Sequence, residues 1–521
     1  MDTLLHRFND KIKGVIEGFD RIVFKGMIRP IMHPAGMASF LMSRGVLNKD
    51  FKGYVIEKSQ AIMNMAEEIS KSGCNCGVKY IPSLNTRKEA LAHERQKECG
   101  AKEGLIGVWS CLESCHTFKS TFDAAQPYPS LRSERGKCRH LYFYFDDSNY
   151  GFMSVRLQTW APYEMQISLN GREWLRRSLE KAGCGHRASG NKFLHIDDYE
   201  LAQKLLSAQA AANFKEMLDG ILPSVFPLMP EILGDKLSYY WTFWQTEVAR
   251  DYIFRDAAEL AALMGDLLLH AFVTGKGERI LRYFGRPVKA DGQPWGNTEP
   301  EIMSRGKYWY DGGRIRHWDC ANSVKAYNEH EVLRFEMTMN APNKFKIHRH
   351  TENQCKDEQK KFLPMRKGVA DSAARFEISR SIVNRFTEHM SAVEEKERLG
   401  KVVASVASPI IRQGKKARAL DLFGKDNELL LAISDPAFDV HAITNKGLQK
   451  ILEGKSWAKG MAGKRFSGRI SRHLRLLREH GLIKKLPNQR KYALTDKGRK
   501  LTAAIEAASA ASVNDLLKLA A

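Results

Sequence analysis

Polar side chains alternate with apolar ones along three segments of the chain, and the polar set has the composition of a phosphate-binding surface. The segments are residues 154–160 (SVRLQTW), 323–330 (SVKAYNEH) and 332–340 (VLRFEMTMN), and their period of two predicts β-strands. If these strands pair, one face of the sheet carries Arg156, Gln158, Lys325, Tyr327, Arg334 and Glu336. Cations, an amide and a tyrosine around a carboxylate indicate a nucleic-acid platform with a metal-held phosphate. The alternative is a solvated face of an antiparallel sheet.

A second candidate surface lies in residues 446–500, which contain 17 Lys or Arg and three Asp or Glu. Residues 464–480 predict a helix, because apolar positions recur at i, i+4, i+8 and i+11: Phe466, Ile470, Leu474 and Leu477. Gly481 is a typical C-cap. A basic charge concentrated in one short segment indicates a docking face for a polyanion.

This segment resembles the winged helix-turn-helix domain of bacterial regulators over residues 425–505. The resemblance is carried by HLRLLREHGLIKKLPNQRKYALTDKGRKL, a basic helix followed by a hairpin. It implies that the helix enters the major groove of DNA and that the hairpin tip, or wing, contacts the backbone or the minor groove. By position, the helix would contribute Arg465, Ser467, Arg469, Ser471, Arg472 and Arg475. The wing would contribute Asn488, Gln489, Arg490 and Lys491. The alternative is a winged helix used for protein contacts or packing.

The second and third of the alternating segments resemble a strand pair of replication initiators, the strand-nicking proteins of rolling-circle plasmids and filamentous phages. Those strands read hydrophobic-Tyr-Asp-Lys and Leu-Arg-hydrophobic-Glu, and residues 324–329 and 332–336 read VKAYNE and VLRFE. In that family a tyrosine attacks a DNA phosphate while carboxylates hold a divalent metal. The resemblance implies Glu336 and Tyr327 as catalytic residues, and Mg²⁺ or Mn²⁺ as the cofactor. Phrases such as VRLQTW and PMRKGVAD also resemble uncharacterised, mobile-element-like bacterial proteins.

Other residues are candidate metal ligands. Asp146 and Asp147 end a predicted strand and could join Glu336 as ligands. The i, i+4 pair Glu247 and Asp251 is a further candidate. Asp20, beside the segment RIVF, is also a candidate metal ligand. The alternatives are caps and solvated faces. Two cysteine groups lack the four-ligand spacing of zinc, so we expect free thiols rather than a structural zinc: Cys74 with Cys76, and Cys111 with Cys115, His116 and Cys138.

Length and composition define the class of protein that must position these residues. The chain has 521 residues, 43% hydrophobic and 27% charged, and a net charge of +22. These values exclude wholesale disorder, collagen and a small disulfide scaffold, and they favour a nucleic-acid partner. Charged residues near the start replace the apolar run of a signal peptide, so a cytoplasmic location is expected, with no membrane partner.

The sequence predicts an α+β fold. We expect an N-terminal α/β domain (1–185), a helical segment plus an antiparallel-sheet core (186–405), a winged helix (420–505) and a helical tail (506–521). Residues 198–285 read as helical, whereas residues 88–102, 119–140 and 351–361 read as loops. The Ala-rich tail would pack against the winged helix or against a second copy in a homodimer.

We therefore expect a nucleic-acid-binding protein related to replication or to mobile elements, with DNA as the first partner and metal-dependent single-strand cleavage as its activity. Two alternatives stay open at this stage. One is a non-catalytic winged-helix transcriptional regulator, and the other is an RNA-binding protein that holds a structured RNA.

The basic segment predicts a steep salt dependence of DNA binding. With six to ten phosphate contacts, the affinity should fall by about three to five decades between about 50 and 200 mM salt, because each contact releases counterions. Fluorescence anisotropy with duplex DNA measures this slope on the full chain. A flat response would contradict the docking face.

Overall fold

The computed structural model describes residues 3–82, 85–100, 103–124, 127–275, 277–286, 300–303, 313–351, 360–391, 399–412, 415–435, 438, 442–487 and 489–512. These residues form one large mixed sheet, several small hairpins and many helices, so the predicted α+β class is confirmed. Among them, no helix is both long enough and apolar enough to cross a membrane.

The chain divides into two compact units. The first comprises Met1–Leu269 and Glu301–Thr387, and the second comprises His270–Pro300 and Glu388–Ala521. The predicted domain boundary at residue 185 is wrong, because strands from both sides of it belong to one sheet in the first unit. The predicted winged-helix segment falls within the second unit.

An 11-stranded sheet organises the first unit. Its strands and a small hairpin, β7–β8, are β1 (Ile12–Met27), β2 (Lys79–Tyr80), β3 (Gly104–Thr121), β4 (Ser130–Asp147), β5 (Gly151–Gln158), β6 (Met165–Asn170), β7 (His186–Ser189), β8 (Lys192–Ile196), β9 (Tyr240–Phe254), β10 (Pro300–Met303), β11 (Arg314–Asp319), β12 (Asn322–Glu329) and β13 (Val332–Met339). The order is β10-β11-β12-β13-β9-β1-β6-β5-β4-β3-β2. The pairs from β11 to β3 are antiparallel, and β2 is parallel to β3.

The helices that begin before residue 391 follow in chain order, and the second, third, seventh and eighth of them contribute buried residues to the main apolar core of the first unit. The helices are α1 (Thr3–Arg7), α2 (Pro34–Ser43), α3 (Phe51–Cys74), α4 (Lys88–Cys99), α5 (Gly171–Lys181), α6 (Tyr199–Ala210), α7 (Phe214–Val225), α8 (Met229–Leu233), α9 (Ala257–Thr274), α10 (Gly277–Tyr283) and α11 (Ser372–Met390); α10 and the last residues of α9 and α11 belong to the second unit. The core joins β1 to α7, where the ring of Phe214 lies 6.0 Å from that of Phe19 and 5.4 Å from that of Phe24. A further hairpin pairs β14 (Lys346–Arg349) with β15 (Lys361–Pro364).

Strand β9 corrects the helical prediction for residues 198–285. It lies between β13 and β1 and is buried over most of its length. A strand buried on both faces is apolar without a clear period, and this pattern is easily read as a buried helix. Aromatic and β-branched residues such as Trp241, Phe243 and Val248 favour the strand.

Two predicted loops are regular structure. Residues 88–99 form α4, and residues 119–140 lie mostly in the long hairpin of β3 and β4. Many side chains near the tip of this hairpin are exposed, so pairing of the two backbones forms strands there without an apolar pattern to indicate them. Most of the predicted loop at 351–361 lies outside the described residues.

The second unit also contains α12 (Leu399–Ala404), β16 (Ile410–Arg412), β17 (Lys415–Ala417), α13 (Asn427–Ile433), α14 (Asn445–Leu452), α15 (Gly463–Glu479), β18 (Ile483–Lys485), β19 (Tyr492–Leu494) and α16 (Asp496–Ala510). The predicted apolar stripe of α15 is buried in this unit's core. Gly481 has a φ of 72°, the left-handed conformation of a C-cap. Backbone hydrogen bonds join Ile443 to Tyr492 and extend the β18–β19 hairpin by one bridge.

Candidate functional site

A cleft of about 1020 Å³ opens on the polar face of the large sheet. Strands β12, β13, β9, β1, β6, β5 and β4 contribute its floor, and α4, α5 and the turn between β7 and β8 contribute its walls. The polar side chains that the sequence places on one face therefore meet in a concave site.

Three carboxylates from three adjacent strands converge in the cleft. Asp20 lies on β1, Glu247 on β9 and Glu336 on β13, and one oxygen of each lies within 4.8 Å of the others. Asp20 and Glu336 are buried and Glu247 is partly buried. We call these three residues the carboxylate triad.

Cross-strand neighbours on β12 surround Glu336. The Nζ of Lys325 lies 2.7 Å from its Oε1, and the hydroxyl of Tyr327 donates a hydrogen bond of 3.1 Å to its Oε2. The Tyr327 ring has the ammonium groups of Lys192 and Lys325 at 5.3 and 5.5 Å from its centroid. Burial, and next the negative charge of Glu336, raise the pKa of Tyr327 well above 10. The phenol is therefore protonated when no further cation lies beside it.

A buried arginine holds Asp20. Arg334 of β13 donates to both carboxylate oxygens of Asp251 at 2.5 and 2.7 Å, and to Asp20 Oδ2 at 2.9 Å. The backbone oxygen of Asn191, in the turn between β7 and β8, accepts from the same guanidinium at 2.8 Å. The Asn191 side chain also donates to Asp20. Because Arg334 and Asp251 are buried, this network fixes where Asp20 points.

The crowding of carboxylates is strongest at Glu247. Burial is the main cause that raises its pKa from 4.5 to about 8, and the negative charges of Glu336 and Asp20 contribute in the same direction. A divalent cation would neutralise the two neighbouring carboxylates and so remove their part of this pKa shift.

The triad fits a hard divalent cation. Three carboxylates offer the oxygen ligands that Mg²⁺ and Mn²⁺ prefer. Thr338, the cross-strand neighbour of Glu247, has a buried hydroxyl with no hydrogen-bond partner among the described residues. A bound cation would neutralise phosphate charge and lower the pKa of a nearby hydroxyl.

The cleft gathers five of the six residues that the sequence places on the polar face. Arg156, Lys325, Tyr327, Arg334 and Glu336 line it, whereas Gln158 does not. The Gln158 amide instead donates to the backbone oxygens of His116 and Trp160 at 2.9 Å. Arg156 is bound to Glu113 at 2.7 Å, so this arginine belongs to the wall of the cleft rather than to the triad.

Asp146 and Asp147 do not join Glu336, which corrects their prediction as ligands of the same metal. They end β4, five strands from β13 in the sheet. Asp146 pairs with Arg177 and accepts from Gln96 at 2.6 Å. Asp147 accepts from the backbone N–H groups of residues 149 and 150, which makes it the cap of a turn.

The basic helix of the second unit presents several cations to solvent. Arg465, Arg472 and Arg475 of α15 are exposed, and no carboxylate of the described residues forms an ion pair with them. The hairpin adds further exposed residues, and together we call them the basic surface: Arg465, Arg472, Arg475, Lys484, Lys485, Gln489, Arg490 and Lys491.

Three predicted contacts on α15 are engaged within the unit. The guanidinium carbon of Arg469 lies 4.2 Å from the ring centroid of Trp457. Ser467 donates to the Asn445 side chain at 3.1 Å, and Ser471 accepts from it at 2.8 Å. These contacts pack α15 against α14, so the two serines act in packing here. Asn488 lies outside the described residues.

The cysteines form no larger ligand set in the part of the chain that is described. The sulfurs of Cys74 and Cys76 lie 3.3 Å apart, with the Ser70 hydroxyl as a third polar group. Cys115 and Cys138 are buried neighbours on β3 and β4, and the hydrogen bond with Cys115, followed by burial, raises the pKa of the Cys138 thiol. Within the described ranges, the carboxylate triad is the one cluster with three metal-ligating side chains in reach.

Sequence reasoning undervalued Asp20 and Glu247. The helical prediction for residues 198–285 makes Glu247 and Asp251 an i, i+4 pair, and positions four apart also share a face of a strand. Asp20 lies within β1, and nothing local indicates that β1 pairs with β9. The available signal was a carboxylate next to a short apolar run, at residues 22–24 for Asp20 and at residues 248–249 for Glu247.

Comparison of the chain with known protein families, with curated proteins and with solved structures finds no match. The geometry of the cleft and of the basic surface therefore carries the functional conclusion. The winged-helix and initiator resemblances stay predictions.

The buried ion network predicts a large loss of stability in Asp251→Asn. The substitution removes the bidentate partner of Arg334 and the 3.0 Å ion pair of Asp251 with Arg172. The free energy of unfolding should fall by about 3–5 kcal/mol, because a buried guanidinium loses its counter-charge. Urea titration followed by circular dichroism measures this. Glu377→Gln, at an exposed pair with Arg380, should change it by less than about 0.5 kcal/mol. Equal effects of both variants would contradict the network.

Glu247 predicts a pH dependence of stability in EDTA. An unfolded chain loses this proton near pH 4.5 and the folded chain keeps it until about pH 8. The folded state therefore binds more protons in this range, and the free energy of unfolding falls as pH rises from 4.5 to 8. Glu247→Gln should lack this decrease and be the more stable form above pH 8. Thermal unfolding across the range tests this, and identical pH profiles for both proteins would contradict it.

Proposed function

We propose that this chain is a metal-dependent DNA strand-cleaving protein. In this proposal the cleft of the first unit cuts one strand, and the second unit binds duplex DNA as a winged helix. The observation that carries the proposal is the carboxylate triad with a tyrosine hydroxyl 3.1 Å from one of its members.

The arrangement supports phosphoryl transfer to Tyr327. Its hydroxyl oxygen would form a bond to the phosphorus while the bond from phosphorus to one sugar oxygen breaks. The hydroxyl proton would pass to Glu336 Oε2, which already accepts its hydrogen bond, and then to the departing sugar oxygen. The exchange leaves a phosphotyrosine linkage and needs no other reactant.

Charge in the cleft supports the same chemistry. Asp20, Glu247 and Glu336 would hold the cation, and the raised pKa of Tyr327 makes the phenol a poor nucleophile until positive charge is added. Lys325 and Lys192 flank the Tyr327 ring. Lys325 pairs with Glu336 at 2.7 Å and Lys192 with Glu329 at 2.5 Å, and a phosphate in the cleft would share these two ammonium groups with the carboxylates.

The second unit supports recognition of duplex DNA. Its basic surface joins the solvent side of α15 to a hairpin with a basic tip, the arrangement that the winged-helix resemblance requires. Exposed arginines without carboxylate partners are free to contact phosphates and base edges. A DNA-binding regulator would share this surface but would have no use for the triad.

Covalent adduct formation tests the proposal. The full chain is incubated with supercoiled plasmid or mixed-sequence single-stranded DNA and Mn²⁺, and the products are run on a denaturing gel. We expect nicked plasmid and a protein–DNA adduct, both lost in EDTA. Tyr327→Phe should remove the adduct. Glu336→Gln should remove both cleavage and Mn²⁺ binding in calorimetry.

Matched variants outside the cleft separate catalysis from folding. Tyr128→Phe changes a tyrosine that is 76% exposed, and Asp197→Asn changes an exposed carboxylate on the surface. Both should cleave as the unaltered protein does. Cleavage without an adduct in Tyr327→Phe would assign the attack to water. If the protein binds duplex DNA but cleaves no DNA with any divalent metal tested, the strand-cleaving proposal is overturned. The non-catalytic DNA-binding regulator is then the supported function.

A further inference from the structure

An exposed tryptophan lies on the same sheet face as the carboxylate triad. Trp244 of β9 is 50% exposed, whereas its neighbour Phe243 is fully buried on the opposite face. The pairing of β1 with β9 shifts register at Trp244, because Val23 is opposite Gln245 and Phe24 is opposite Phe243. This bulge interrupts the alternation of faces, so Trp244 and Glu247 share the polar face although they are three residues, about 10 Å, apart. Lys25, beside the Trp244 ring, is likewise opposite the cleft-lining Gln166 of β6. Tryptophan is enriched at binding interfaces, where its ring supplies a large apolar face.

Two ammonium groups flank this ring. The Nζ of Lys25, on β1, lies 5.4 Å from the centroid of the Trp244 ring, and the Nζ of Lys367 lies 5.3 Å from it. Lys25 also pairs with Glu164 at 2.8 Å. Lys367 is exposed, and no carboxylate among the described residues forms an ion pair with it.

A second pair of a cation and an aromatic ring lies four residues before Trp244 on β9. Tyr240 of β9 is opposite Met27 at the end of β1, and the guanidinium carbon of Arg29 lies 3.3 Å from the Tyr240 ring centroid. Arg29 is exposed. The two rings and the three cations follow β9 toward the triad. We call these five residues the aromatic–cation track: Arg29, Tyr240, Lys25, Trp244 and Lys367.

We propose that the aromatic–cation track binds an unpaired nucleic-acid strand, with one base stacked on Trp244 and the adjoining phosphates on Lys25 and Lys367. The inference rests on the proposed function, because the track would deliver the strand to the cleft. It adds a binding site outside the cleft and names the form of its ligand.

The chemistry of the track selects an unpaired strand over a duplex. Bases in a duplex are stacked on one another, so their faces cannot reach an indole. An unpaired base offers its face, and stacking on an aromatic side chain contributes whatever the base is. The alternation of rings and cations matches a polymer that alternates flat bases and phosphates. An acidic peptide would pair with the cations but would have no flat group to stack on the two rings.

Strand binding by variants tests the track. The full chain is titrated in EDTA into a short fluorescein-labelled single strand of mixed sequence, and anisotropy is recorded. Trp244→Leu should weaken binding by about tenfold, the effect of losing one stacked base, and Trp244→Phe should restore most of it. Lys367→Gln should lower the slope of log affinity against log salt by about 0.7, the value for one phosphate contact with a single strand.

Controls separate the track from folding and from catalysis. Phe122→Leu replaces another exposed aromatic ring, 73% accessible and next to β3, and it should bind the strand normally. Asp197→Asn, at an exposed carboxylate outside the cleft, should keep both strand binding and Mn²⁺ binding. A single-stranded RNA and an acidic peptide are run beside the DNA, and stronger binding of the peptide would overturn the inference.

The outcomes distinguish this inference from the proposed function. Unchanged strand affinity in Trp244→Leu, with Mn²⁺-dependent cleavage intact, would overturn the track and leave the cleft as proposed. Reduced affinity in Trp244→Leu without any cleavage by the unaltered protein would support the track and remove the nuclease. If no single strand binds the unaltered protein, both are overturned.

Discussion

The ion network around Arg334 is the interaction on which the candidate site depends. One guanidinium joins Asp251 of β9 and Asp20 of β1 to its own strand β13, so it connects three central strands of the sheet. A buried arginine without these partners would be very costly. Arg334 and Asp251 are cross-strand partners, and a shift by one residue would turn one of them to the opposite face. The network therefore fixes both the strand register and the position of one triad carboxylate.

Charge is distributed differently in the two units. The first unit concentrates negative charge at one buried point and surrounds it with cations, including Lys192, Lys325 and Arg21 along the cleft. The second unit carries its positive charge on an exposed helix and hairpin. Among the described residues, three metal-ligating side chains lie within reach of one another only in the first unit. In the proposed function, the basic second unit would attract the nucleic acid and the first unit would hold the metal.

Short sequence patterns predicted those parts of the site that depend on a single strand or helix. Alternation located β12 and β13 and placed Lys325, Tyr327, Arg334 and Glu336 on one face, where the structure has them. The apolar stripe of the basic helix was likewise sufficient to place it against a core. Strand β9 was misread because burial on both faces removes its period. Long-range pairing decides the rest: no short window shows that β1 lies beside β9, that Asp146 ends a distant strand, or that Trp244 stands between two lysines.

The wide spacing of Asp20, Glu247 and Glu336 along the chain has a consequence for biosynthesis. β1 is synthesised early, β9 near the middle and β13 later. The three strands can pair only after all of them have left the ribosome. A nascent chain that ends before residue 336 therefore holds an incomplete set of ligands. In the proposed function, a chain released before that point would lack one of the three metal ligands and could not form the complete triad.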